Sequence, residues 1–378
     1  VYTVNLSKDH FSLTFGGAAN TYLGNHFGKI IRADNGQNVN FNQRYYDSDA
    51  TKTEWTNYIK ASRNIQKGAS QYKFFGDLQF RAVSYKAQGT NDDQSAINFD
   101  NTFNFINPKV GMTVTKRSLS TSKTWDVFLG ATHREPARTD FLGGLSTPKA
   151  ERLMNLELGR SYLTKKWALI ANYYMMYYQN QLVLTGELNN VGTPLRENAG
   201  ESYRTGLELV GQYKVNRKFE VGGNVTVSQN RILEYNELVY DENFALAQTF
   251  TRKDVPIAYS PNLVSGVSLT YKFRRNFDVI LQNKLVGQQF LDNTGQEEKS
   301  IPMYNTTNLI MNYRTNFRFI TKRSMPVNIS AYLYNITNSL YENNGYAFSQ
   351  SEGGIYTSYT SVYPQAPFNA MLKLSILF

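Results

Sequence analysis

The sequence predicts an all-β protein: a transmembrane antiparallel β-barrel wall with short turns at one rim and long loops at the other. Three observations predict it. Apolar and polar residues alternate with period two over segments of about ten residues or more. The connections between those segments alternate short and long. Charge segregates with the same alternation. No helical stripe competes, and no apolar run approaches the roughly 18 residues of a membrane helix.

The elements follow in order. A short first strand covers 1–6. The second, 11–28, opens with Phe11, Leu13 and Phe15 alternating with Ser12, Thr14 and Gly16. Similar segments lie at 52–64, 71–87, 104–115, 124–136, 152–162, 167–182 and 202–213. In 219–230, Val221, Val225 and Val227 alternate with Asn224, Thr226 and Ser228. In 261–271, Leu263, Val267, Leu269 and Tyr271 share one face, opposite Gly266, Ser268 and Thr270. Strands at 277–290, 303–313 and 326–336 precede the last, 366–378. There Ala370, Leu372, Leu374, Ile376 and Phe378 oppose Asn369, Lys373 and Ser375, with apolar Met371 and Leu377 the exceptions on the polar side. Successive strand side chains point to opposite faces, so each alternation gives one apolar and one polar face. Most segments exceed the five or six residues usual in soluble sheets and satisfy the ~9–11 of a spanning strand.

The connections carry as much information. Short ones lie near 7–10, 65–70, 116–123, 163–166, 214–218, 272–276 and 314–323. Long ones lie near 29–51, 88–103, 137–151, 183–201, 231–260, 291–302 and 337–365. Short periplasmic turns opposite long extracellular loops are the habit of outer-membrane barrels, whose sheet must close because lipid tolerates no open edge. The net charge of +10 divides accordingly. The six internal short turns hold 16 Lys and Arg, among them Lys165, Lys166, Lys214, Arg217 and Lys218, and no acid; the long loops hold 21 acids against 10 bases. Basic turns suit solvation beside anionic headgroups. They form no basic–aromatic groove, so nucleic acid is not an expected partner. Trp55, Trp125, Trp167 and the pairs Tyr173–Tyr174 and Tyr177–Tyr178 gather near strand ends, as interfacial aromatics do. A mean hydropathy of −0.46 fits strands that wet one face.

Several motifs resemble TonB-dependent outer-membrane receptors. Tyr363–Asn369 through Leu374–Phe378 is similar to the last receptor strand, with Phe378 in the place of the signal read by the barrel-assembly machinery. Asn107-Pro108-Lys109-Val110-Gly111, His133-Arg134-Glu135-Pro136-Ala137-Arg138, Pro148–Arg152, Ser202–Leu209 and Leu333–Asn338 resemble further family segments in the family's order. The resemblance implies strands 9 to 22 of a 22-stranded barrel, with the end of strand 8 at Val1–Leu6. Nothing resembles the plug domain or the first seven strands, so residues 1–378 read as a single partial barrel domain.

The implied function is import of a scarce nutrient across the outer membrane of a Gram-negative bacterium. A ferric siderophore is the leading substrate class, with oligosaccharide, haem or cobalamin behind it. The implied partners are a TonB–ExbB–ExbD complex acting through the plug, membrane lipid, and a surface lipoprotein if the ligand is a glycan. A passive porin and a non-transporting barrel within a surface assembly are the alternatives.

Enzymatic activity and a resident cofactor are not expected. Zero Cys removes thiolate chemistry and disulfides, and only His10, His26 and His133 are available as imidazoles. His133 adjoins Arg134 and Glu135, but consecutive strand residues face apart and cannot form one site. Arg134, Glu135 and Arg138 are expected to meet the plug or line the lumen, since a charge on the lipid face costs ~2–4 kcal/mol at mid-depth. Ligand recognition is expected in the long loops, at Tyr235, Tyr240, Phe244, Arg252, Tyr346, Tyr356 and Tyr359. Asp92-Asp93 and Glu297-Glu298 read as solvated acids.

Overall fold

The computed structural model describes residues 1–32, 43–92, 94–141, 147–188, 192–243, 245–318 and 324–377. Fifteen long or rim-to-rim strands pair with their sequence neighbours into one antiparallel wall. They are β1 (Tyr2–Lys8), β2 (Phe11–Lys29), β3 (Arg44–Lys67), β4 (Ser70–Thr90), β5 (Ala96–Arg117), β6 (Thr121–Arg134), β7 (Glu151–Thr164), β8 (Trp167–Leu188), β9 (Pro194–Lys214) and β10 (Phe219–Asp241), then β12 (Leu263–Arg274), β13 (Phe277–Val286), β16 (Tyr304–Arg318), β17 (Ser324–Tyr334) and β20 (Asn369–Ile376). β1 and β20 each pair on one side only among the described residues.

The pairing register explains the alternation. Met112, Val127, Leu158, Tyr173, Leu207, Val227 and Leu263 stand directly opposite one another, forming one apolar row across seven strands. One residue along, on the other face, the row reads Thr113, Asp126, Gly159, Asn172, Glu208 and Thr226. A one-residue slip would exchange the two faces, so burial of one face in lipid fixes the register. The consecutive tyrosines divide the same way. Tyr173 joins the apolar row, whereas Tyr174 stands opposite Gly206 on the polar face. A Cβ at Gly206 would come within 2.6 Å of the Tyr174 hydroxyl and 2.8 Å of the Val227 carbonyl oxygen, so a side chain there would crowd both. At the short-turn rim Trp167 stacks on Tyr213 with centroids 3.9 Å apart, as an interfacial aromatic should.

The long loops are more structured than their composition suggested. Three of the segments read as loops, 29–51, 88–103 and 183–201, are entered by five wall strands: β3 begins at Arg44, β4 runs to Thr90, β5 begins at Ala96, β8 runs to Leu188 and β9 begins at Pro194. The 24 residues of β3 at ~3.3 Å each make roughly 80 Å of strand, beyond what a ~30 Å hydrocarbon core requires even with tilt. Above lipid neither face needs to be apolar, so the period-two signal fades while the backbone ladder continues. Two further hairpins lie wholly in former loops: β10 continues to Asp241 and returns as β11 (Leu246–Pro256), and β18 (Glu342–Glu352) pairs with β19 (Ile355–Pro364). A two-residue ladder joins β14 (Gln289–Phe290) and β15 (Ser300–Ile301). The strand expected at 277–290 therefore stops at Val286. Phe378 and Phe244 lie outside the described residues.

Candidate functional site

At the long-loop rim three insertions fold back over the wall and pack on one another. β18 runs beside the top of β10, Tyr240 opposite Gln350 and Asp241 opposite Ser351, although three wall strands, β12, β13 and β16, separate β10 from β17. Asn293, in the loop after β14, donates to the Leu184 carbonyl of β8 at 2.7 Å and accepts from the Ala258 N–H at 2.8 Å. The Tyr259 hydroxyl donates to the Gly345 carbonyl at 2.8 Å; burial, helped by the Asp292 charge, pushes that hydroxyl up to about 12, so it stays protonated. The packed core beneath includes Val183, Ala199, Ile232, Val255 and Ile257.

A buried ion cluster holds the insertions together. Lys299, 1% exposed, places its Nζ 3.0 Å from Glu237 Oε1, 2.9 Å from Asp292 Oδ2, 2.5 Å from Ser349 Oγ and 3.2 Å from the Tyr356 hydroxyl. Arg252 donates to Glu237 Oε2 through Nε at 2.7 Å and Nη2 at 2.5 Å. The Tyr356 hydroxyl donates to Glu237 at 2.8 Å, with Phe250 edge-on to its ring at 5.5 Å. Three insertions thus meet on one lysine. Burial alone would lower the Lys299 pKa, but the charges of Asp292 and Glu237 outweigh it and hold the ammonium above the ordinary lysine range. Burial likewise opposes ionisation of Glu237, and Lys299 and Arg252 overcome it, leaving that carboxyl below its ordinary range.

Beside this cluster lies a cavity of about 400 Å³ between β9, β10, β18, the β13–β16 loop and the β6–β7 connection. Tyr235, Tyr240, Leu195, Ala199 and Phe348 supply its rings and apolar surface; Asp140, Glu197, Glu234 and Arg196 supply charge. Burial pushes the Glu197 carboxyl up while the Tyr235 hydroxyl, bonded to it, pulls it partly back.

The expected recognition residues therefore divide. Tyr235 is 7% exposed, a packed ring whose hydroxyl bonds Glu197 and Asn293 rather than a free loop aromatic. Tyr240 lines the cavity. Arg252 and Tyr356 belong to the ion cluster. Tyr346 tilts against Tyr363 at 6.3 Å, and Tyr359 stacks on Phe348 at 5.1 Å with its hydroxyl on Glu352. Sequence reading passed over Lys299, Glu237 and Asp292. The available signal was that Lys299 is the one base in the acidic loop 291–302.

The second expected group lies at the end of β6 and in the β6–β7 connection. Glu135, 8% exposed, accepts from Lys52 at 2.8 Å and from Arg81 at 3.2 Å, and Arg81 also donates to Glu54 at 2.8 Å. Arg134 pairs with Glu151 at 2.7 Å, and Glu151 accepts from the Leu182 N–H. Arg138, in the short 3-10 turn Arg138–Phe141, donates to Ser48 at 2.8 Å and Asn91 at 3.3 Å. His133 bonds Asn107 through its N–H and Nδ1 and stacks on Phe105 at 5.3 Å. These residues fasten the segment after β6 to β3, β4 and β8.

An antiparallel wall with one apolar and one polar face, capped at one rim by packed insertions, is the wall of a membrane β-barrel. The family model "TonB dependent receptor-like, beta-barrel" matches residues 1–336, and the chain belongs to that family. Solved structures share the fold. The ferric yersiniabactin uptake receptor FyuA from Yersinia pestis is 14% identical with a TM-score of 0.64, over 98% of this chain and 52% of its own. The copper transporter OprC is 14% identical at 0.69, over 98% and 55%. The FrpB iron transporter from Neisseria meningitidis (F3-3 variant) is 17% identical at 0.59, over 98% and 53%. The chain thus spans about half the length of these structures. Sequence comparison with curated proteins returns no match. No described helix is long and apolar enough to cross a membrane.

Proposed function

We propose that the chain is the C-terminal part of the barrel of an outer-membrane receptor that captures a scarce nutrient and imports it by energy-coupled transport. The observation that carries the reading is the cap: insertions from β10–β11, the β13–β16 loop and β18–β19 converge on Lys299 and enclose a cavity at the long-loop rim. Rigid, pre-packed loops suit tight capture, because little ordering remains to be done on binding. A ferric siderophore is the substrate class we favour, since the neighbouring folds named above include iron receptors. Further strands and a plug complete the lumen, and the plug engages a TonB–ExbB–ExbD complex. The barrel-assembly machinery inserts the chain through its last strand, β20, with Phe378 as the signal in the sequence. No catalytic step is assigned.

A fourteen-strand porin is disfavoured by one pairing. It would need β2 edge to edge with β20, yet β1 occupies that edge of β2 over seven residue pairs. Growth of a deletion strain on a panel of iron chelates and glycans tests the reading. Loss of growth on one iron chelate is expected. Normal growth on every iron source would refute the substrate class.

A further inference from the structure

The rim cavity has a charge pattern that narrows its ligand. Five carboxylates line it, from Asp140, Glu197, Glu234, Glu237 and Asp292, against two cations, Arg196 and Lys299. Lys299 is fully engaged by Glu237 and Asp292. Asp140, Glu197 and Glu234 therefore share one partly exposed arginine. Asp140 is the informative group. It is 2% exposed, and its Oδ2 accepts the Ala137 N–H at 2.7 Å. Its Oδ1 receives no hydrogen bond among the described residues; Arg196 Nη1 stands 3.6 Å away, too far to donate. A buried carboxylate oxygen without a donor is unfavourable, and a donor on a bound ligand would satisfy it.

The remaining surroundings limit the chemistry of that donor. Among the described residues Glu197 is bonded by the Tyr235 hydroxyl and makes no ion pair. The rings of Tyr240 and Phe348 line the same cavity, and aromatic rings attract positive charge. Among the described residues no three His, Cys, Asp or Glu converge as metal ligands do, so the carboxylates are dispersed along the cavity wall. Dispersed carboxylates with aromatic faces suit a cation several atoms long better than a bare metal ion. There is room for one: Gly200 lines the cavity, and a Cβ added there meets nothing within 4 Å.

We propose that this cavity binds an organic cation, the amine- or guanidinium-bearing part of the imported ligand, with Asp140 and Glu197 as its anionic contacts. The assignment rests on the receptor reading above and sharpens it: the nutrient, or the chelate that carries it, bears a basic group.

Spermidine is the probe, titrated calorimetrically into the full-length receptor purified in detergent. Expected is saturable binding that weakens about tenfold or more in Asp140→Asn and in Glu197→Gln. Gly200→Trp, which fills open space, abolishes it, and triethylene glycol, of similar length but uncharged, does not bind. Absence of saturable spermidine binding to the unmodified receptor, or equal affinity in both carboxylate variants, overturns the assignment. Thermal melts accompany each variant. Should Asp140→Asn loosen the 3-10 turn, Glu197→Gln and Gly200→Trp decide. The two readings fail separately. A deletion strain with no uptake defect, from a receptor that binds spermidine, refutes import. An uptake defect without spermidine binding refutes only the cation site.

Discussion

Lys299 shows how one residue organises the rim. An ammonium that is 1% exposed is stable there because two carboxylates and two hydroxyls surround it. Removing it leaves Glu237 and Asp292 buried with too little positive charge. Lys299→Met should therefore loosen the cap by about 3–5 kcal/mol, the usual cost of breaking a buried pair on one side. Hydrogen exchange of β18 and β19 is the measurement; unchanged protection would mean that the cluster does not hold the cap. The same groups set a pH window. Glu237 is depressed in the folded state, so its contribution is present above the ordinary carboxyl range and fades as pH falls through its folded value. Lys299 is raised, so its contribution is complete below the ordinary lysine range and fades as pH rises through its folded value. Cap protection should be greatest between about pH 5 and pH 10 and decline on either side, as exchange or limited proteolysis across pH would show.

At the scale of elements, the strand rows assign a solvent to each face. Leu158 stands in the apolar row between Val127 and Tyr173, whereas Asn172 stands in the polar row opposite Gly159 and Glu208. Leu158→Arg should destabilise the inserted barrel by about 2–4 kcal/mol, and Asn172→Arg by far less. Urea-induced unfolding of the receptor from lipid vesicles measures both. Equal losses would mean that the faces are exchanged. The rows also explain why the strand ladder was readable only in part. Where lipid demands an apolar face, as from Val221 to Val227, the alternation is plain. Where β3, β4, β5, β8 and β9 rise above lipid, sequence demands nothing of either face, and those extensions read as loops.

At the scale of the molecule, the charge asymmetry becomes an orientation. Lys165 lies at the β7–β8 turn, and Asn236 and Asn343 lie on the capped rim. Cysteines introduced at Asn236 and Asn343 should react with a membrane-impermeant maleimide on intact cells, and one at Lys165 should not; the reverse would invert the topology. On the proposed reading, the net +10 marks the rim that faces the periplasm rather than what the protein binds, and the ligand meets the acidic rim first. The unpaired sides of β1 and β20 belong to this scale too, because an exposed sheet edge in hydrocarbon leaves backbone groups without partners. Strands supplied at both edges are part of the proposed receptor.

The sequence by itself determined the wall: number and order of its strands, which face of each is apolar, and which rim carries the basic turns. These are local properties, since period two and turn composition are written within a few residues. Tertiary structure alone decided the site. Glu237, Asp292, Lys299, Ser349 and Tyr356 come from segments up to 119 residues apart and meet only because hairpins above the membrane fold back across the mouth. Asp140 and Glu197 share a cavity for the same reason. Long-range contact between polar loops leaves no period in the sequence, because water satisfies such residues equally well until the fold brings them together.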